Sequence, residues 1–140
     1  MKGDNPFPGP WLQNAFMTVG QARVSTSAEE ARSIGFLSPD DVVVMNKDYL
    51  LAEAKREVIA MASAGYKADH PVRNCYAAGR DALANLMIGI HLMQEGGFIS
   101  AYDAHVGRKL AFVLCGGDIS QPQWVDEQYF LDLEREAFLS

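Results

Sequence analysis

Hydrophobic residues recur at helical spacing over two long stretches of the chain, residues 47–64 and 80–95. In each stretch they lie three or four residues apart, which places them on one face of a helix. In the first stretch they are Leu50, Leu51, Ala54, Val58, Met61 and Ala62. In the second they are Leu83, Leu86, Met87, Ile90 and Met93. Glycine follows both stretches and closes helices readily, so we predict two long amphipathic helices.

Polar residues mark the starts of two further helices. Ser27 and Glu30 have the spacing of a capping box, in which each side chain bonds the backbone N–H of the other residue. The helix that they open is brief, because Gly35 closes it. Ser100 and Asp103 predict a second box, with Asp in place of Glu, at the start of a longer helix.

The remaining elements lie near the two ends of the chain. Residues 11–19 are apolar enough for a short helix that stops at Gly20, and a last helix begins near Asp126. The β-branched residues 42–44 suit a short extended segment. The predicted fold class is mainly α, with four substantial helices, two short ones and at most one small β element.

We divide the chain into four segments on this pattern. Residues 1–10 hold three prolines and are expected to form an extended lead-in. Residues 11–65 form a first helical segment, and residues 66–78 form a loop with one proline. Residues 79–140 form a second helical segment, which we expect to make one compact unit with the first.

The composition narrows the class of protein. The 140 residues carry a net charge of −6, which argues against a nucleic-acid partner or an anionic membrane surface. No apolar run approaches the ~20 residues of a membrane span, and the first residues lack the apolar centre of a signal peptide. Cys75 and Cys115 are too few and too far apart for a disulfide framework or zinc site. We therefore expect a cytoplasmic protein with reduced thiols.

Few residues have the arrangement that catalysis requires. Asp103 and His105 are two positions apart on a helix, so they do not face each other as an orienting pair. His70 and His91 are interpreted as packed or surface residues, and no G-x-S-x-G motif is present. The glycine pairs at 96–97 and 116–117 follow helices, which indicates C-caps and not phosphate loops. We predict no catalytic, cofactor-binding or metal-binding residue.

The last helix carries the strongest remaining candidates, Glu127 and Glu134. These carboxylates lie between two apolar faces of the helix. One face is made by Tyr129, Phe130, Leu133 and Ala137, and the other by Leu131 and Phe138. An acid/base pair or a metal site is one interpretation. We favour structural ion pairs with an arginine such as Arg80 or Arg108, because buried charges are kept paired.

Two stretches of the chain resemble a known enzyme family. ARVSTSAEEARSIGFLSPDD and the helix after it resemble the C-terminal part of an enoyl-CoA hydratase (crotonase) domain. ISAYDAHVGRKLAFVLCGGD and VDEQYFLDLEREAFLS resemble the extreme C-terminus of bifunctional 3-hydroxyacyl-CoA dehydrogenase/enoyl-CoA hydratases in which the hydratase domain comes last. The resemblance covers residues 14–65 and 98–140.

The resemblance implies a parent enzyme of fatty-acid β-oxidation. It would hydrate 2-enoyl-CoA and oxidise the 3-hydroxyacyl-CoA product with NAD. The hydratase glutamates and oxyanion hole of that family lie upstream of the matching stretch, and no G-x-G-x-x-G dinucleotide motif occurs here. We therefore expect a non-catalytic helical fragment that packs between domains or subunits and covers the acyl-CoA site. Family members continue past the AFL sequence, so we expect Met1 and Ser140 to be ends of a segment.

The expected partners are the rest of the parent chain and, in isolation, a second copy of the fragment. The wide apolar arc of the last helix suggests contacts on two sides. Two rival hypotheses remain open. The first is an independent helical protein-interaction module, and the second is a small metal or acid/base enzyme that uses Glu127 and Glu134.

Overall fold

A computed structural model describes residues 9–68, 70–71 and 73–140. Within these ranges the chain is mainly helical, and its strands form one two-stranded sheet. The helices are α1 (Gly9–Gly20), α2 (Ala28–Ser33), α3 (Leu50–Ser63), α4 (Gly79–Glu95), α5 (Ala101–Leu114) and α6 (Glu127–Leu139), with a 3-10 turn (Lys47–Tyr49) before α3 and strands β1 (Cys75–Ala77) and β2 (Gln123–Val125). This confirms the prediction of a mainly α chain with at most one small β element.

The chain forms two compact units. The first comprises Met1–Arg23 and Pro71–Ser140 and holds α1, α4, α5, α6 and the sheet. The second comprises Val24–His70 and holds α2 and α3. Helix α1, which the sequence pattern grouped with the residues up to 65, therefore belongs with the C-terminal helices. The segment boundaries drawn from the sequence stay a prediction.

The core of the first unit is built where α4 and α5 cross. Ala104, Gly107 and Ala111 follow one another at helical spacing on α5, and both alanines are fully buried. Ile90 of α4 lies against this small-residue face, with side-chain atoms 3.6 Å from where a Cβ on Gly107 would be. Small residues allow the helices to approach closely, and burial of an isoleucine side chain stabilises the fold by roughly 1.5–3 kcal/mol.

Other elements complete this core. Helix α1 packs on α5, and Gly20 lies next to Leu110 at their contact. Helix α6 also packs on α5. The buried members of the cluster are Leu12, Phe16, Ala78, Leu83, Ile90, Ala104, Ala111 and Cys115.

The sheet lies outside the segment where the sequence pattern placed an extended element. β1 pairs antiparallel with β2, with Tyr76 opposite Trp124 and their rings in edge contact at 5.2 Å. β1 lies inside the predicted loop 66–78, of which residues 69 and 72 are outside the described ranges. Residues 42–44 form no strand. A three-residue strand depends on a partner far along the chain, which local pattern does not reveal.

The starts of the helices follow the predicted caps, with one correction. Ser100 and Asp103 form the full capping box at α5, and Asp126 caps α6 by accepting from the N–H of Tyr129. At α2, Ser27 caps the helix as predicted. The Glu30 carboxylate, however, accepts from the N–H and hydroxyl of Thr26, the residue before Ser27.

The predicted lead-in is wrong at its last two residues. Gly9 and Pro10 belong to α1, and residues 1–8 lie outside the described ranges. Proline is favoured in a first helical turn, where its missing N–H would have no partner. The chain leaves α1 through Ala22, which has a φ of 48°, and the next N–H bonds back to the carbonyl of Thr18.

Candidate functional site

The glycine turn after α5 is a structural junction of the first unit. Gly116 and Gly117 bond back to α5 as a helix C-cap, which confirms the interpretation of this glycine pair. The carbonyl of Cys115 accepts from the N–H of Gly79 at 2.8 Å, and that of Gly116 accepts from the Tyr129 hydroxyl at 2.8 Å. A Cβ on Gly116 would overlap Ala77. The turn thus joins α4, α5 and α6 through backbone hydrogen bonds and lies in close contact with β1.

The two arginines predicted to pair with the α6 carboxylates have other partners. Arg80 donates from Nε to Asp118 at 2.6 Å, and this hydrogen bond lowers the pKa of Asp118 and raises that of Arg80. Arg108 donates to the side-chain oxygen of Gln94 at 2.7 Å. The Arg80–Asp118 pair is mostly exposed, so solvent screens it.

Glu127 and Glu134 do not form an enclosed site. Both side chains are exposed, and the two residues are seven apart on α6, about 10 Å along its axis. Glu127 makes a hydrogen bond, an ion pair or another electrostatic interaction. The pairing of these carboxylates stays a prediction.

The two predicted faces of α6 differ in burial. The first face is half-buried against the first unit: Phe130 lies beside Gly116, and Leu133 beside Gly117. The second face is exposed, with 48% of Leu131 and 84% of Phe138 accessible to solvent. Helix α6 therefore packs on one side only within the described residues.

Groups that serve as nucleophiles or metal ligands are not brought together. Cys115 is fully buried, and burial raises the pKa of its thiol to about 11, so it is protonated and unreactive at neutral pH. Cys75 is half-buried, and neither cysteine is in a disulfide. His70, His91 and His105 are exposed. Residues 9–68, 70–71 and 73–140 contain no group of three side chains that could hold a metal ion.

The first unit carries an open apolar groove of about 900 Å³, lined by residues of α1, α4, α5 and α6. We call it the α5–α6 groove. Its apolar lining includes Ile90, Ile99, Val106, Leu110, Val113 and Phe138. Tyr102 and Phe138 stand at this groove with most of their surface exposed. Aromatic side chains exposed beside an apolar surface are typical of contact sites with another macromolecule.

Charged groups of both signs line the α5–α6 groove. On α5, His105 and Lys109 are one turn apart, and the ammonium of Lys109 donates to the hydroxyl of Ser140 at 2.6 Å. On α6, Glu134 lines the groove. Asp103 also lies there, but its carboxylate is held in the α5 cap by Ser100, which lowers its pKa.

A second groove of about 650 Å³ lies on the same unit between α1 and α4. It shares Phe16, Met17 and Met93 with the α5–α6 groove and has polar residues Gln13 and Asn85 on its walls. The first unit thus offers apolar surface on both sides of α1.

Helix α3 of the second unit has no buried residue. Its predicted apolar face is exposed, with Leu51 82% and Val58 64% accessible. Its charged side is occupied by pairs of Arg56 with Glu53 and Glu57. The sequence prediction of an amphipathic helix is confirmed, but its apolar face has no covering element in these residues.

The described residues thus define a small helical protein with exposed apolar contact surfaces and no assembled catalytic group. The chain is similar to a probable 3-hydroxyacyl-CoA dehydrogenase of Bacillus subtilis (strain 168), with 38% identity over 126 residues. The match covers 89% of this chain but only 16% of the relative, so the chain spans about one sixth of that protein's length. No protein-family profile matches the chain, and no solved structure matches it significantly.

The similarity supports the dehydrogenase part of the predicted resemblance. The match is to a segment of a much longer protein. In the part of the chain that the structure describes, none of the helices is long and apolar enough to cross a bilayer.

Proposed function

We propose that the chain is a non-catalytic helical part of a larger, cytoplasmic enzyme that oxidises 3-hydroxyacyl-CoA with NAD. The observation that carries the proposal is the extent of the similarity: most of this chain aligns with a small fraction of a probable 3-hydroxyacyl-CoA dehydrogenase.

The parent enzyme would also carry a crotonase-type domain that hydrates 2-enoyl-CoA in fatty-acid β-oxidation. This finer proposal depends on the resemblance of residues 14–65 to a crotonase domain and of residues 98–140 to bifunctional enzymes with the hydratase domain last. The chain would pack against the rest of the parent and cover the acyl-CoA site. The exposed apolar face of α3 and the grooves on the first unit are surfaces suited to such packing.

Enzyme assays of the purified chain test the lack of catalysis. We expect neither hydration of crotonyl-CoA, followed by ultraviolet absorbance, nor NAD reduction with 3-hydroxybutyryl-CoA. The full-length Bacillus subtilis relative, assayed beside it, shows whether the substrates and conditions support turnover. Turnover of either substrate by the chain alone would contradict a non-catalytic role.

Reconstitution tests the packing role. The relative without the segment that matches this chain should lose activity or stability, and adding this chain in trans should restore part of it. Co-elution of the two pieces in size-exclusion chromatography should accompany the recovery. If the truncated relative keeps full activity and binds nothing, the packing role is wrong.

The alternative is an independent helical interaction module. It is favoured by the first unit, which buries a core of its own around α4 and α5. Such a module unfolds cooperatively without any partner and stays monomeric, so calorimetry and sedimentation distinguish it from a fragment that needs its parent.

A further inference from the structure

We propose that the second unit, Val24–His70, is an arm that orders when the rest of the parent enzyme covers it, whereas the first unit keeps its fold with or without that cover. The identity of the covering chain rests on the proposed function. The first support is burial: among the described residues of the arm, Ala31 alone is buried. The first unit, by contrast, buries a cluster of eight residues around α4 and α5. The described part of the arm therefore has no core of its own to offset the entropy lost on folding.

Helix α3 needs a cover because its apolar side chains face solvent. The exposed fractions are 82% for Leu51, 64% for Val58 and 55% for Ile59. The helix has 14 residues, and an isolated helix of roughly that length is marginal in water, because most helix stability in proteins comes from packing of an apolar face. Its ion pair between Arg56 and Glu53 is partly exposed and contributes little. A chain that covers the apolar face would therefore stabilise α3.

The segment between α2 and α3 is held by contacts between near neighbours in the sequence. The guanidinium of Arg32 donates to the carbonyl of Asp41 at 2.8 Å, and the Asp41 carboxylate accepts from the N–H of Ser38 at 2.6 Å. The N–H of Phe36 bonds the carbonyl of Ala31 at 2.8 Å. Local hydrogen bonds of this kind, exposed to water, open without disturbing a distant core.

The connections of the arm to the first unit allow such opening. The chain leaves the first unit after Arg23 and returns to it at Pro71. Gly20, just before the exit, lies next to Leu110 of α5, and β1, which follows the return, contacts Gly116. Leu110 and Gly116 are about 9 Å apart along the α5 axis. Because the entropy of closing a loop grows slowly with its length, the arm can lose its order between two nearby points of a folded first unit.

The extent of the similarity supports the rest of the parent chain as the cover. The match to the Bacillus subtilis relative covers 126 residues, and a stretch of that length within 140 residues includes the whole arm. The relative thus carries a counterpart of α3 inside a much longer chain. Folding on contact loses conformational entropy at the binding step, which makes such a contact weaker than its area implies and therefore reversible. The arm would be ordered only in the assembled enzyme.

A matched pair of proline variants tests whether the two units fold separately. Ala54 on α3 and Ala84 on α4 are both exposed alanines in helix interiors, and proline at either residue breaks its helix. Ala84→Pro should lower the urea midpoint of the tryptophan fluorescence transition by about 1 M or more, because both tryptophans lie in the first unit. Ala54→Pro should leave that midpoint unchanged. Equal lowering by both variants would show that the units fold together and would overturn the proposal.

Hydrogen exchange read by mass spectrometry tests the order of the arm in this chain and in the full-length Bacillus subtilis relative. In this chain alone, the amides of α3 should exchange within about tenfold of their unstructured rates, whereas those of α4 and α5 should be slower by about a thousandfold or more. In the relative, the segment that aligns with α3 should be protected about a hundredfold more than α3 is in the isolated chain.

Three exchange results would overturn the proposal. Protection of α3 equal to that of α4 in the isolated chain would show that the second unit is a stable domain. Protection that rises with the concentration of the isolated chain would show that a second copy is the cover. Rapid exchange of the aligned segment in the relative would show that the parent does not order it. These results leave the enzyme assays of the proposed function unchanged, and turnover by the isolated chain would contradict that function without altering the exchange pattern.

Discussion

Helices α4 and α3 share an amphipathic sequence pattern, but they differ in what they bury. Both are amphipathic, and each is followed by a glycine with positive φ, Gly97 and Gly65. In the first unit, α4 buries Leu83 and Ile90 against other helices, whereas α3 in the second unit buries nothing. The comparison shows that local sequence is enough to define a helix, while its burial depends on distant segments that meet it.

The largest difference between the units should appear when apolar side chains are shortened. Ile90→Ala removes a buried side chain at the α4–α5 crossing and should lower the free energy of unfolding by about 4 kcal/mol. Val58→Ala, on the exposed face of α3, should change it by less than about 0.5 kcal/mol. Urea unfolding followed by circular dichroism measures both.

Tryptophan fluorescence assigns these effects to a unit, because both tryptophans, Trp11 and Trp124, lie in the first. A cost for Val58→Ala close to that for Ile90→Ala would mean that α3 is covered within the isolated chain, and the contrast between the units would be wrong.

The glycine turn of the first unit should be nearly as sensitive. Gly116→Ala places a methyl group into Ala77 at a residue with positive φ, and should cost about 3 kcal/mol. Gly97→Ala is the matched control, because Gly97 also has positive φ but has open space where its Cβ would be. The control should cost only about 1 kcal/mol. Equal costs would show that the junction at Gly116 is not tightly packed.

Thiol labelling reports the opening of the first unit directly. At pH 8 a thiol reagent should modify Cys115 about a hundredfold or more slowly than Cys75, because Cys115 is buried and its pKa is raised to about 11. Cys75→Ser and Cys115→Ser variants isolate each rate, read by mass spectrometry. If the two cysteines react at equal rates in Ile90→Ala, the slow labelling of Cys115 depends on the packed core. Equal rates in the unmodified chain would contradict the burial of Cys115.

The sequence predicted those features that depend on near neighbours. The Ser100–Asp103 box, the cap at Asp126 and the amphipathic periodicity of α3 and α4 follow from residues within a few positions of one another. The same local reasoning misplaced one bond by a single residue, since Glu30 bonds the backbone of Thr26.

Contacts between residues far apart in the sequence were not predicted by the local sequence pattern. The β1–β2 pairing joins residues from either side of α4 and α5, and the sequence pattern instead favoured residues 42–44. For the candidate site, the pattern identified both faces of α6 and suggested an arginine, such as Arg80 or Arg108, as the partner of its carboxylates. These arginines bond Asp118 and Gln94, which become neighbours only once the helices have packed.

The smallest expected effect concerns the α5 cap in acid. Hydrogen bonds from Ser100 lower the pKa of Asp103 below its unfolded value of about 3.9. The contribution of Asp103 to stability is therefore complete above about pH 4 and is lost as pH falls through its folded pKa. Asp103→Asn should be less stable than the unmodified chain at pH 7, and this difference should disappear in strong acid. The Asp118→Asn variant separates the similar effect of the Arg80 ion pair, which also lowers a carboxyl pKa. Thermal melts from pH 2 to 7 measure the difference in stability between each variant and the unmodified chain. If the difference for Asp103→Asn stays constant with pH, the carboxylate charge does not stabilise this cap.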